Sequence, residues 1–553
     1  MKRTISTLIM ILGIMLVLLA LTAPAEAAKP SPSKTPTVTP TKTATPTKTA
    51  TPTPTFTTTP IGPTPTPVGP TPTPGTNPHA SITSYNGPQT CVTCHPSEAD
   101  SALHSEHMQW SGKWKEVNTY CTAPEPADFA CRSCHVSTGK VSNLTVNDTD
   151  CLVCHNDTYK RALGPQTNQV TVMDWTGANK TYNFPIKVNG DYQFQPRYDL
   201  MPAGTTMLSL AQNVQKPTRL TCLNCHAKAG GGDGVKRGDL AMENAASTNA
   251  NLDVHMDADG ANLTCQSCHV PNNHLIPGKG VDLRVSEGGT VTCQQCHTAA
   301  PHTTNAELNE HTARIACQTC HIPKFAKATV GTEMSRDWTT PHWNPSGCNG
   351  QGAWIGEEVK GYNVVPTYQF WNGQSDVYNF GETIAPESGV YDMAKALGSI
   401  NDGKLYPMKV HTSVQPLHNA SNRIVQYDVL WQFMTGKYEE AALRGVSFMG
   451  LSGSYSWVTT SADQLITHGV EPKANALQCV TCHDTNTQMN LQTLGYTLKG
   501  TTAAVCSQCH REKRYSGDYI GFHDRHVNTR GNDCSWCHAF SRPERGLTLD
   551  PTP

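Results

Sequence analysis

The chain has 553 residues, of which 37% are hydrophobic and 16% charged, and a formal net charge of −2. So balanced a charge gives no basic footprint for nucleic acid, and a chain with 43 glycines and 39 prolines shows too little apolar periodicity to build a conventional core. Its 22 cysteines and 23 histidines are the excess that has to be explained.

Lys2 and Arg3 precede an apolar run from Leu8 to Leu21, and Ala25-Glu26-Ala27 forms a small-x-small cleavage site, so residues 1–28 read as an export signal. The run is shorter than the ~20 residues of a spanning helix, and left uncleaved it would be an N-terminal membrane anchor. Residues 29–78 are almost wholly Thr and Pro, with Lys34, Lys42 and Lys48 interspersed, and are predicted to be a disordered, extended linker. With the signal cleaved the linker is a free arm; otherwise it is a stalk. Either way the chain is exported, to the periplasm, the cell surface or the medium.

Ten copies of Cys-x-x-Cys-His follow. They are Cys91, Cys94 and His95; Cys131, Cys134 and His135; Cys151, Cys154 and His155; Cys222, Cys225 and His226; Cys265, Cys268 and His269; Cys293, Cys296 and His297; Cys317, Cys320 and His321; Cys479, Cys482 and His483; Cys506, Cys509 and His510; and Cys534, Cys537 and His538. Two thiols at this spacing can add across the vinyl groups of a porphyrin, and the adjacent histidine then reaches the iron as proximal ligand. One copy could equally be half a zinc site or a redox disulfide; ten, each followed by histidine, read as ten covalently bound haem c groups with their iron. Ten porphyrins would supply the apolar surface that the polypeptide lacks. The predicted fold is therefore mainly α with extensive irregular coil, a multihaem cytochrome c wrapped around a chain of ten haems with little or no β-sheet. Short helices are expected after the motifs, with a few longer ones such as Tyr427 to Val446.

A low-spin haem needs a ligand on each face, and 13 histidines lie outside the motifs: His79, His104, His107, His255, His274, His302, His311, His342, His411, His418, His468, His523 and His526. His255, His274, His302, His311 and His468 stand close to motifs and are expected to be distal ligands. His523 and His526, between the last two motifs, suit the two terminal haems, so residues 501–553 read as an added dihaem unit. His79, at the linker edge, and one of His411 and His418 are expected to be ordinary surface or hydrogen-bonded histidines.

Catalysis needs an iron with an exchangeable ligand. Gly230-Gly-Gly-Asp233-Gly-Val-Lys236-Arg-Gly-Asp239-Leu240 offers glycines that permit tight bends and a lysine whose amine could bind iron; on sequence alone a glycine loop with a solvated lysine is the simpler reading. Cys121 and Cys348 are the cysteines left outside the motifs, and in an oxidising compartment they would most simply form a disulfide. The alternative is a reactive Cys121 thiolate beside a haem.

From about Ser84 to Gly500 the chain resembles the octahaem tetrathionate reductase family of multihaem c-type cytochromes. The resemblance rests on Gly230 to Leu240, Leu252-Asp-Val-His255-Met-Asp-Ala-Asp-Gly260, and His311-Thr-Ala-Arg-Ile-Ala-Cys317-Gln-Thr-Cys320-His-Ile-Pro323. Asn363-Val-Val-Pro366-Thr-Tyr368, Trp371-Asn-Gly373 and His468-Gly-Val-Glu-Pro472 continue it in order. It implies an octahaem domain over residues 79–500. It also implies that the second haem, at Cys131, Cys134 and His135, is the reactive one, with Lys236 as distal ligand and Asp233, Cys121 and Asn118 lining its pocket. The chain departs from the family near the first motif, where His104 and His107 are closer together, which leaves open which of them is a ligand, with His107 the expected one. It departs again after the seventh motif, where a tryptophan-rich segment is reduced to Arg336-Asp337-Trp338.

The resulting expectation is an oxidoreductase passing electrons through bis-histidine haems to a lysine-ligated haem that reduces a small anionic substrate, tetrathionate or, as in related enzymes, nitrite or hydroxylamine. Asp233 would relay protons and Cys121 would orient a substrate sulfur. Its partners would be redox proteins or an external electron acceptor. The rival is a conduit without chemistry of its own, a cell-surface or extracellular cytochrome, as oligomer or filament subunit, and the linker and extra dihaem unit favour it.

Overall fold

Strands, unexpected from the composition, fill the second half of the molecule. The computed structural model describes residues 77–109, 118–120, 122, 132–166, 168–278, 283, 289–483, 488–500, 505, 525–526, 529–530, 532 and 537–538. The export signal, nearly all of the linker, and Cys121, Cys131, Cys506, Cys509, His510, His523 and Cys534 lie outside them. Helix and strand each account for 24% of the structure. That corrects the expectation of a mainly α fold with little or no β-sheet.

In the first half, β1 (Arg161–Gly164), β2 (Asn168–Met173), β3 (Asn179–Phe184) and β4 (Gln193–Pro196) form two small antiparallel sheets, β1 with β4 and β2 with β3. The second half contributes β5 (Thr332–Asn344), β6 (Ala353–Gly361), β7 (Thr367–Trp371), β8 (Ser375–Val377), β9 (Tyr391–Ala396), β10 (Lys404–His418), β11 (Arg423–Ile424) and β12 (Tyr455–Leu465). These make an eight-stranded mixed sheet of order β6-β5-β10-β12-β9-β8, with β7 and β11 also paired to β10. β10 is its axis: it runs antiparallel to β12 from Met408↔Leu465 to His418↔Tyr455 and parallel to β5 from Thr412↔Ser335 to Val414↔Asp337.

The strand pattern of β10 is inverted, which is why hydrophobic alternation does not reveal it. Lys409, His411, Ser413 and Gln415 are at most 2% exposed, whereas Val410 and Val414 on the opposite face are only partly buried. Pro407 and Pro416 also lie within it, and proline argues against a central strand because it cannot donate to the ladder.

The short helices coincide with the haem motifs: Leu152–His155, Arg219–His226, Cys265–Cys268, Cys317–His321 and Cys479–His483. Thr218 starts Arg219–His226 with a reciprocal capping box to Thr221. The single helix expected over Tyr427 to Val446 is two, Val429–Thr435 and Tyr438–Phe448. Gly436, at φ 72°, ends the first through a 2.7 Å bond from its N–H to the Gln432 carbonyl. Both helices bury Val429, Ala441 and Ala442 with Trp338 and Tyr427. Among the described residues no helix is long and apolar enough to cross a membrane.

Candidate haem centres and the pocket at Lys236

Among the described residues, five motif histidines each face a second imidazole at nearly the same separation. Ring centroids are 6.1 Å apart for His95 and His79, 6.0 Å for His226 and His107, 6.1 Å for His269 and His468, 6.2 Å for His297 and His255, and 6.2 Å for His321 and His302. Two metal–nitrogen bonds of about 2 Å, plus about 1 Å from each nitrogen to its ring centre, span about 6 Å, so these pairs fit an iron between them.

The outer nitrogens fit as well. Nδ1 of His155 bonds the Gln215 carbonyl at 2.9 Å, that of His269 the Pro277 carbonyl at 2.7 Å, that of His302 Asn309 Oδ1 at 3.2 Å, and that of His468 Asp239 Oδ2 at 3.1 Å. Asp253 stands 3.6 Å from His255 Nδ1. Holding Nδ1 in this way would leave Nε2 available to an iron. Burial also pulls His135 down to about 4 and His226 to about 3, which keeps them in the neutral form a metal binds.

His79 is the ligand candidate that sequence reasoning passed over. It lies in the turn Pro78–Ser81, whose N-cap Asn77 is tied through Nδ2 to the Gln212 carbonyl at 2.6 Å. An asparagine before a proline at the first helical position was the available signal. Both ring nitrogens of His411 are bonded within the protein, to Thr119 Oγ1 at 2.9 Å and Glu333 Oε1 at 3.1 Å. Those of His418 are taken by Ser421 Oγ at 2.8 Å and the Ser452 carbonyl at 3.1 Å. Of the close pair near the first motif, His107 faces His226, while exposed His104 bonds the Asp100 carbonyl at 2.8 Å through Nδ1. His274 lies within electrostatic reach of His155, His311 ends the helix Ala306–His311, and His342 is exposed on β5. His526 accepts a 2.9 Å backbone bond from Asn532.

Motif thiols also show which motifs are neighbours. Cys91 contacts Cys151, Cys134 contacts Cys225, Cys222 contacts Cys265, and Cys293 contacts Cys317. Cys154 is within electrostatic reach of Cys225, Cys268 of Cys296, and Cys320 of Cys482. The first eight motifs thus run as one line, first, third, fourth, fifth, sixth, seventh and eighth, with the second branching from the fourth. The tenth motif meets the segment after the eighth: Leu498 bridges to His538, and Lys499 N–H donates to the Cys537 carbonyl at 2.9 Å.

The glycine loop folds back on itself at Lys236. Gly230, Gly231 and Gly234 have φ of 84°, 106° and 71°, and Lys236 N–H bonds the Ala229 carbonyl at 3.1 Å. A Cβ on Gly230 would stand 2.9 Å from that of Lys236, so the loop closes only with glycine there. Lys236 Nζ lies 5.7 Å from the ring centre of Tyr120, whose hydroxyl donates to Gln464 Oε1 at 2.9 Å and approaches the Lys236 carbonyl at 3.3 Å. Asn118 Oδ1 accepts the Tyr120 N–H at 2.8 Å, and buried Thr122 bonds the Tyr427 carbonyl at 2.6 Å. Lys236 and Tyr120 are therefore brought together, with Asn118 two residues before Tyr120 and bonded to its N–H. Asp233 Oδ1 accepts the Met242 N–H at 2.8 Å, an interaction that braces the loop. Cys348 packs against Val172, Tyr182 and Phe184, and burial pushes its thiol up to about 11.

Behind Tyr120 stands a buried polar wall that the sequence did not announce. The His411 ring stacks on Tyr120 at 3.9 Å, and Glu333 joins His411 to Arg336, which also pairs with Glu358 at 2.8 Å. Arg336 lies 5.0 Å over the Trp338 ring, so the reduced tryptophan segment supplies a cation to this wall. Burial raises the Glu333 carboxyl, but its bonds to Arg336 and His411 outweigh this and hold it at about 2. Burial pulls His411 down to about 4 and Lys409 to about 7.

Comparison with known proteins agrees with this geometry. A family model described as bacterial cytochrome c matches residues 335–486, and one described as a doubled CXXCH motif matches residues 471–515, which take in the eighth and ninth motifs. The octahaem cytochrome c of Shewanella oneidensis is 30% identical, superposes with a TM-score of 0.59, and is covered over 100% of its own length by 80% of this chain. The chain belongs to the multihaem c-type cytochromes. An uncharacterized protein of Archaeoglobus fulgidus is 26% identical, with 36% of this chain and 78% of that protein aligned. As a multihaem cytochrome the chain binds haem c through its CXXCH motifs, and its chemistry is electron transfer. The bacterial cytochrome c match covers most of the large sheet, so the sheet that composition hid is part of the family framework.

Proposed function

We propose that this cytochrome is an exported decahaem oxidoreductase. Bis-histidine haems pass electrons along the motif line to a haem held by Cys131, Cys134 and His135, with Lys236 as its distal ligand. The observation that supports the reading is the approach of Lys236 to Tyr120, whose N–H is bonded to Asn118 and which precedes Cys121 in the chain. Haem bound there supplies the electron-transfer step. Lys236 would hold that haem's iron through its side-chain nitrogen and, when released, would face a bound anion; Asp233, at the bend, would carry a proton, and Cys121 would orient a substrate sulfur. Tetrathionate would take two electrons and divide into two thiosulfates, and nitrite or hydroxylamine are the other substrates of this class.

Assays of the reduced protein with tetrathionate, nitrite and hydroxylamine test the reading. Turnover of at least one, with two thiosulfates per tetrathionate if that is the substrate, is expected. No turnover of any of the three, together with spectra of bis-histidine haem alone, overturns it.

The docking of the tenth motif on the segment after the eighth favours a second reading, an enzyme or pure conduit wired to an external acceptor through residues 501–553. Deleting those residues is then expected to abolish electron transfer to a ferric mineral while leaving reduction by a soluble donor intact. Asp239, buried and bonded to His468 Nδ1, increases the basicity of that ligand. Asp239→Asn is expected to raise the midpoint potential of the His269/His468 haem by about 60 mV, one tenfold change in a one-electron couple, as read by spectroelectrochemical titration.

A further inference from the structure

Strand β10 touches both halves of the proposed pocket. Side chains two residues apart on a strand share a face, and Lys409, His411 and Gln415 share the one turned to residues 118–120 and 235–236. Lys409, 1% exposed, donates from Nζ to the Val235 carbonyl at 3.1 Å, the Lys236 carbonyl at 3.0 Å and Thr332 Oγ1 at 2.7 Å. Gln415 donates from Nε2 to the Asn118 carbonyl at 2.7 Å, with its Oε1 held by Thr460 Oγ1 at 2.6 Å. Tyr120 and Lys236 are 116 residues apart in the chain, so their spacing depends on what both segments are bonded to. That common support is β10, itself paired to β12 and β5.

We infer that Lys409 is a positioning residue that fixes the backbone at Lys236, and that β10 thereby sets the distance between the Lys236 amine and the Asn118 side of the pocket. This rests on reading Lys236 as an iron ligand. Three donors aimed at three acceptors, two of them carbonyls of the loop that carries the ligand, satisfy the whole hydrogen-bonding capacity of a lysine ammonium. A buried polar side chain that served only to fill space could be replaced by an apolar one of similar volume at little cost. Lys409→Met is such a replacement, and a positioning role makes a different forecast for it.

The experiment is cyanide titration of the ferric holoprotein, followed optically without turnover. In Lys409→Met the loop at Lys236 loses its anchor, so cyanide displaces the lysine more readily, with apparent affinity raised about tenfold at one haem and the bis-histidine bands unchanged. Lys409→Arg, which keeps donors at this position, is expected to return most of the wild-type affinity. Gln415→Leu loosens only the Asn118 side and is expected to raise substrate KM with the cyanide titration unmoved. Wild-type cyanide affinity in Lys409→Met overturns the inference. Should that variant fail to assemble its haems, Lys409→Gln replaces it, with an intermediate shift expected and an unchanged titration again overturning the role. Lys236→Ala separates the two levels: an unaltered spectrum there removes the ligand reading itself, whereas an altered one beside an unmoved Lys409→Met titration removes only the positioning role.

Discussion

Lys236→Ala is expected to lower turnover by at least about 100-fold, the scale of a lost donor to a developing anion, and to convert one haem to a high-spin spectrum. The paired imidazoles at 6.0–6.2 Å do not involve Lys236, so their low-spin bands should remain. Spectroscopy and kinetics therefore answer separately. A high-spin signal without loss of turnover would make Lys236 a ligand with no part in the chemistry. Unchanged spectra and unchanged turnover would sink the catalytic reading and leave a conduit. Lys236 is only partly buried, and the bonds it makes to Ala229, Tyr120 and Lys409 run through its backbone, so the alanine variant should fold and load haem normally.

Glu333→Leu is expected to destabilise the protein by about 1.5–3 kcal/mol, because it removes one of the two carboxylates that pair with buried Arg336, leaving Glu358, and takes the acceptor from His411 Nε2. Denaturant unfolding of the holoprotein measures this. The effect has a pH signature. Glu333 is held at about 2, below its ordinary 4.5, so its contribution is fully present above about 4.5 and is lost as pH falls toward 2. The gap between wild type and Glu333→Leu should accordingly narrow across that window. His411, pulled by burial to about 4 from 6.5, acts at higher pH: between about 6.5 and 4 the unfolded chain takes up the proton first, which weakens the fold on acidification in both proteins. An equal stability gap at pH 7 and pH 3 would show that Glu333 does not carry the wall's ion pairing.

The haem chemistry was legible in the sequence because each attachment site is local: two thiols and an imidazole within five residues, on one turn of helix such as Cys317–His321. The glycine loop at Gly230 to Leu240 was also readable as a tight bend, since left-handed backbone at three glycines is a property of those residues. Partner choice was not. His107 reaches His226 and His468 reaches His269 only when distant segments fold together, and His79, passed over beside the linker, proved to face His95.

The sequence by itself determined the cofactor, its attachment residues and the supply of spare histidines, because thioether and proximal-ligand chemistry depend on neighbours in the chain. Tertiary structure alone decided the sheet, the pairing of imidazoles and the wall behind Tyr120. β10 buries lysine, histidine, serine and glutamine where a strand ordinarily buries apolar residues, so its alternation is cancelled in any hydropathy pattern. The physical reason is that this face is stabilised by hydrogen bonds to partners far away in sequence, and such partners exist only once the chain has folded.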